Sequence, residues 1–132
     1  MVWYHVLNIF FFVFHTGLIF FNLFGWLWQS TRKWNLVTLT ATGFSWFGLG
    51  IWYGWGYCPC TEWHWEVRLA LGYRDMPHSY IKFLVDKITG WDVNAIVVDT
   101  ATVIGYLGAL TASFWINRHW LKLTLNRLIK AC

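Results

Sequence analysis

The residue types able to do chemistry gather in one stretch, Gly56-Tyr57-Cys58-Pro59-Cys60-Thr61-Glu62-Trp63-His64-Trp65-Glu66-Val67-Arg68. Cys58, Cys60 and His64 offer two thiolates and an imidazole, a soft donor set of the kind zinc or copper takes. Their C-x-C-x3-H spacing is weakly specific. It is neither the C-x-x-C of a redox motif nor the C-x-x-C-H of haem attachment. A Cys58–Cys60 disulfide would close a strained small ring. The plainer alternative is a tight turn in which Pro59 fixes the backbone and Thr61 caps the next helix. Glu62 and Glu66 would then sit in favourable first turns. Cys58, Cys60, Thr61, His64, Glu66 and Arg68 form the first candidate site.

A second candidate lies in apolar surroundings. His15 and Asp99 are the most deeply placed polar residues, with Ser45 and Thr102 at similar depth. An acid in hydrocarbon is costly and is expected to face protein or water. A His15–Asp99 hydrogen bond would satisfy both groups, either as a structural clamp or as a proton-handling or ligand-binding site. His15 also has the chemistry of a haem ligand. His5, His64, His78 and His119 all lie at other depths, so a bis-His site would need another subunit. There is no nucleophile–base constellation, phosphate loop or nucleotide fingerprint. The sequence requires no cofactor. Three cysteines, Cys58, Cys60 and Cys132, are too few for a disulfide scaffold.

The elements that must position these residues follow from hydropathy. The chain has 132 residues, 58% hydrophobic and only 12% charged. A soluble domain of this size cannot bury so much apolar surface. A helix crosses the hydrocarbon core in about 20 residues. Three stretches fit, at about residues 6–28, 36–56 and 93–116, and Asp99 is the only charge in them before the last helix turns basic. The apolar N-terminal stretch lacks the basic start and small-residue cleavage site of a signal peptide, and reads as a retained helix.

Residues 57–92 are more polar and form an expected outer cap. Thr61 and Gly72 bracket a short helix, although Trp63, Trp65, Val67 and Leu69 also alternate as in a strand. Ser79 and Gly90 bracket a second helix. Tyr80, Ile81, Leu84 and Ile88 fall on one of its faces, and Lys82 and Asp86 can pair on another. Such helices are expected to lie at the membrane surface. Residues 117–132 read as a basic amphipathic tail.

Charge sets the expected orientation. Arg32, Lys33, Arg118, Lys122, Arg127 and Lys130 occupy the first linker and the tail, with no acid among them. The cap carries Arg68, Arg74, Lys82 and Lys87 against Glu62, Glu66, Asp75, Asp86 and Asp92. The positive-inside rule puts the linker and C-terminus in the cytoplasm and the N-terminus and cap outside. Tryptophan agrees. Trp3, Trp52, Trp55, Trp63, Trp65 and Trp91 fall at the outer boundary, Trp26, Trp28, Trp34, Trp115 and Trp120 at the inner one, and Trp46 alone at mid-depth. The net charge of +4 is thereby explained by anionic lipid rather than nucleic acid. Ala101, Gly105, Gly108 and Ala112 on the third span, with Gly50 and Gly54 on the second, suit close helix packing within the bundle or against other membrane subunits.

At GYCPCTEWHWEVR the chain resembles the bacterial membrane-protein family catalogued as domain of unknown function 2784. The resemblance rests on a histidine in an apolar first helix (His15), a second apolar helix to Gly56, the Cys58-Pro59-Cys60-Thr61 segment, Tyr80-Ile81, and a last membrane helix. Many members carry leucine in place of Cys60 and histidine in place of Asn35. The resemblance implies this architecture and a bacterial inner-membrane location; it assigns no activity. The fold expected is therefore an all-α integral membrane bundle of three transmembrane helices in a single domain, with interfacial amphipathic helices between the second and third. The function expected is that of a non-catalytic accessory or structural subunit. The alternative is a metal- or haem-binding protein, or a small enzyme or carrier, using His15/Asp99 or the Cys58–Thr61 segment.

Overall fold

A computed structural model describes residues 1–132 and contains helices but no strands. Helix α1 spans Val2–Phe24 and ends in a 3-10 turn, Gly25–Leu27. Helix α2 spans Arg32–Gly43, passes into a π-helical segment, Phe44–Leu49, and ends as α3, Gly50–Tyr53. Helices α4 (Pro59–Ala70) and α5 (Tyr80–Thr89) follow, and α6 (Ala95–Ala131) closes the chain.

Two stretches, Val2–Leu27 and Ala95–Ala131, are long and apolar enough to cross a membrane. Few of their residues are buried inside the protein, unlike the core helix of a soluble domain. At 1.5 Å per residue α6 runs about 55 Å, well beyond a hydrocarbon core of about 30 Å, so its basic end projects past one.

The expected second span does not form as one long α-helix. It stays helical from Arg32 to Tyr53 but widens to π geometry at its centre. The cause is the chain that returns after it. Gly56 N–H donates to the Trp46 carbonyl at 3.2 Å, and the Ser45 hydroxyl donates to the Tyr57 carbonyl at 2.7 Å. A carbonyl used from outside the helix is a known route to irregular helical hydrogen bonding. The helix then ends at Gly54, whose φ of 107° suits only glycine. Gly54 is thus a turn residue and not part of a packing face. Gly50 does pack closely, since a Cβ there would lie 3.3 Å from Trp55 Cα.

Helix α6 presents Val98, Tyr106, Ala109, Ser113 and Asn117 as a buried stripe. Spacings of eight, three, four and four residues put these on one face. Leu36 and Leu39 of α2 are buried, and Tyr106 and Ala109 form a core with Leu39. Two hydrogen bonds fix the register: Tyr106 Oη donates to the Leu39 carbonyl at 2.8 Å, and Asn117 Nδ2 to the Arg32 carbonyl at 3.0 Å. Of the expected small-residue row, Gly105 meets Leu23, whereas Ala101 and Gly108 are exposed. Larger residues therefore make most of the intramolecular seam.

Gly43 faces the Tyr106 hydroxyl so closely that a Cβ would collide with it. Gly43→Ala should therefore cost about 1–3 kcal/mol. Tyr106→Phe alone should cost about 1 kcal/mol for the lost buried hydrogen bond. The double variant should cost less than the sum, because removing the hydroxyl relieves the collision. Equilibrium unfolding of the four proteins in detergent measures this cycle; simple additivity would contradict it.

The cap expectation is corrected in one respect. Helix α4 packs along the flank of α1, and α5 lies beside it, with Phe12 and Ile19 of α1 against Tyr80, Phe83 and Leu84. The two short helices therefore stand beside the first long helix, over much of its length, and not simply above its end. The helical reading of residues 59–70 holds over the strand reading, and α4 stops just before Gly72. Ser79 caps α5, its hydroxyl accepting from Lys82 N–H at 3.5 Å, and Gly90 ends it at φ 74°. Lys82 pairs with Asp86 and also with Asp92. The buried face of α5 is Tyr80, Phe83 and Leu84; Ile88 is 70% exposed, since its turn of helix runs past the α1 contact.

Candidate functional site

Helix α1 carries Asn8, Phe11, Phe12, His15, Thr16 and Ile19 at spacings that share one face. Helix α4 is aligned against that face by its start. Pro59 is at its first turn, and Cys58 is the N-cap, with an extended backbone at φ −137° and ψ 117°. Proline suits that place because its missing N–H would be unpartnered there anyway. Thr61 is therefore inside the helix and not its cap, a correction to the expected turn. The Cys58 carbonyl accepts from Thr61 and Glu62 N–H, both at 3.1 Å.

This geometry brings the Cys58 sulfur within 3.9 Å of His15 Nε2. The His15 ring is buried and stacks on Tyr80, with centroids 4.0 Å apart and planes 22° from parallel. Tyr80 is held in turn: its hydroxyl lies 3.4 Å from Thr16 Oγ1 and from the Phe12 carbonyl. The imidazole is thus oriented by a ring stack, with one nitrogen facing a thiol and Nδ1 without a partner in the protein. All three thiols are free. The Cys60 thiol beside Cys58 stabilises its thiolate most; burial opposes this; the His15 imidazole and the Thr61 N–H reinforce it. Cys58 is pushed down as a result, and Cys60, close by and partly buried, is pushed up. A helix N-terminus and a neighbouring imidazole are the surroundings that activate cysteines.

His64 is fully buried one turn further along α4, its Nε2 2.9 Å from Asn8 Oδ1. It stacks on Phe11 and lies near Trp65, Tyr80 and Phe83. Burial foremost, then the charges of Arg68, His15 and Lys87, lower it to about 4. The low value means that the folded state holds His64 neutral. Its contribution to stability is complete above the unfolded value near 6.5 and is lost as pH falls towards 4. Wild-type stability should therefore drop by about 1 kcal/mol per pH unit across that window. His64→Gln, which cannot charge, should show a shallower slope in acid unfolding followed by tryptophan fluorescence.

The other expected site residues lie elsewhere. Asp99 is exposed on α6 and makes no side-chain hydrogen bond, so the expected His15–Asp99 bond is not formed. The reason is position: α6 starts at Ala95, capped by Asn94, which puts Asp99 in its second turn. Ser45 serves the π segment, and Thr102 bonds back to the Val98 carbonyl at 2.8 Å. Glu66 is exposed. Cys58, Cys60 and His64 do not converge, because His64 turns to Asn8; no three His, Cys, Asp or Glu side chains gather as a metal site requires. Sequence reasoning missed Asn8 and the role of Tyr80. The available signal was a lone asparagine in an otherwise apolar helix turn.

The chain is thus an all-α protein with two helices long and apolar enough to cross a membrane, and a thiol–imidazole pair held beside the first of them. It belongs to the family described as Protein of Unknown function (DUF2784), whose model matches residues 5–118. That match takes in every residue of the pair and its supports, and ends where the basic tail begins. No curated protein and no solved structure matches the chain.

Proposed function

We propose that the protein is an integral membrane protein whose chemistry is that of an activated thiol, Cys58, oriented and assisted by His15. The observation that carries this reading is the 3.9 Å approach of Cys58 Sγ to His15 Nε2 across two elements 43 residues apart. A thiolate is the nucleophilic form of cysteine, and an adjacent imidazole can receive the proton it gives up. Cys60, pushed up, stays a thiol close by.

Membrane insertion is supported by the exposed apolar surface: Trp3, Val6, Ile9, Phe10, Val13 and Phe14 on α1, and Ile104, Leu107, Phe114 and Trp115 on α6, all lie open. Water leaves such a surface costly, whereas lipid does not. The helical run Arg32–Tyr53 supplies a third crossing, with Thr38, Thr40 and Thr42 hydroxyls bonded back to helix carbonyls so that they need no water. The basic linker and tail lie on the cytoplasmic side of a bacterial inner membrane, and the thiol pair lies at the depth of His15 within the first span. Exposed Ala101 and Gly108 favour a second reading, in which α6 docks against another membrane subunit as an accessory chain.

Iodoacetamide alkylation of the purified protein from about pH 5 to 9, mapped by mass spectrometry, tests the thiol reading. A rate at Cys58 that is flat with pH supports it. A rate climbing about tenfold per unit up to the ordinary thiol range near 8.5 would contradict it.

A further inference from the structure

A second, separate site is built around Arg68. This side chain is only 8% exposed, yet it makes no ion pair and no hydrogen bond within the chain, and its Nε is buried without a partner. Its guanidinium is clamped between two rings, 4.2 Å from the Tyr73 centroid and 4.7 Å from that of Phe83. Lys87 lies over the same Phe83 ring, at 5.5 Å, and over Phe12 at 5.2 Å. No acid answers either cation. Asp86 is occupied by Lys82 and by Val93 N–H, and Glu66 is exposed on α4. The excess of positive charge is felt next door, where both cations help to keep His64 neutral.

A buried charge without a counter-charge is costly, and aromatic faces offset only part of that cost. The missing component is an anion. Carboxylates of the chain do not supply it, so it must come from outside. We propose that Arg68 and Lys87 bind a phosphate-bearing group, the planar guanidinium gripping its oxygens and the ammonium adding a point charge. Arginine is suited to this because its donors form a fixed fork that matches phosphate oxygens two at a time. Phosphates of this kind come either as the head group of an anionic lipid or as a free phosphate in water.

Native mass spectrometry of the full chain, released from neutral detergent micelles, tests this. One arm offers phosphatidylglycerol alongside phosphatidylcholine, and the other offers inorganic phosphate. Wild type should retain one phosphatidylglycerol in preference to phosphatidylcholine if the source is lipid, or inorganic phosphate if it is free. Arg68→Gln should weaken retention about tenfold or more, the loss expected for a charge-assisted hydrogen bond. Lys87→Gln, at an exposed residue, should weaken it by a smaller factor. Lys130→Gln in the tail should leave it unchanged. Retention in neither arm, or equal weakening by Lys130→Gln and Lys87→Gln, overturns the proposal. The outcome is independent of Cys58, whose alkylation profile should be the same with and without the anion.

Discussion

Removing either neighbour of Cys58 is expected to change the pH profile of its alkylation from flat to steep. Cys60→Ala should have the larger effect, because the Cys60 thiol is the strongest stabiliser of the thiolate. His15→Phe should follow. It keeps a ring against Tyr80 and deletes the nitrogen that faces the sulfur. In Cys60→Ala burial, which favours the neutral thiol, loses its main opponent, and in His15→Phe it loses a lesser one. The reaction rate should then rise about tenfold per pH unit between about pH 5 and 8, where wild type is level. The slope is the informative quantity. A thiolate of higher pKa is also intrinsically more nucleophilic, so absolute rates at one pH partly cancel. Tyr80→Phe, which preserves the stack but loses the hydroxyl contact to Thr16, should leave the profile close to wild type. A His15→Phe profile as level as wild type would remove His15 from the account.

The second large effect is on stability, at the hairpin joining α1 to α2. A helix leaves its last carbonyls without partners, and in an apolar setting water cannot supply them. Here side chains add to the backbone bonds, such as that from Gly25 N–H to the Phe21 carbonyl. Asn35 Nδ2 donates to the Phe21 carbonyl at 2.7 Å and to the Asn22 carbonyl at 3.2 Å. Trp26 Nε1 donates to Leu23 at 2.7 Å, Thr31 Oγ1 to Gly25 at 2.6 Å, and Arg32 Nε to Trp26 at 3.2 Å. Asn22 itself reaches across to Thr42 Oγ1 at 2.9 Å. Asn35 is fully buried at the centre of this set. Asn35→Ala should cost about 3 kcal/mol, combining lost hydrogen bonds to buried carbonyls with a cavity. Thr31→Val, at the edge of the network, should cost about 1 kcal/mol. Detergent-titration unfolding measures both. Equal losses at the two positions would argue against a network centred on Asn35.

The parts legible in the sequence are those set by local rules. Ser79 and Gly90 bound α5 because a hydroxyl cap and a left-handed residue act within a turn of where they sit. Asn94 starts α6 by the same rule, its Oδ1 accepting from Ile96 N–H at 2.9 Å, but it was not singled out in the sequence. Apolar length marked α1 and α6 for the same reason. The break in the second helical run was not legible, because its cause is a contact from Gly56 and Tyr57, residues beyond its end. Depth counting pointed His15 towards Asp99. Depth orders residues along a membrane normal but says nothing of which helix faces which. The actual partners come from α4 and α5, which fold down beside α1 and deliver Cys58 and Tyr80 to His15. Both clusters of candidate residues were visible as residue types; that His15 and Cys58 belong to one site was not.

The most direct test of the central claim, an activated thiol beside His15 in a membrane protein with a cytoplasmic basic tail, is labelling with permeant and impermeant reagents at about pH 6, below the ordinary thiol range. Intact cells expressing the protein are treated with a membrane-permeant methanethiosulfonate or with a charged, membrane-impermeant one, and modification at each cysteine is read by mass spectrometry. The account predicts that Cys58 is modified by the permeant reagent in intact cells, and that Cys132, at the end of the basic tail, is modified by the impermeant one only once the membrane is opened. Modification of Cys132 from outside, or a Cys58 that reacts only above the ordinary thiol range, would contradict it.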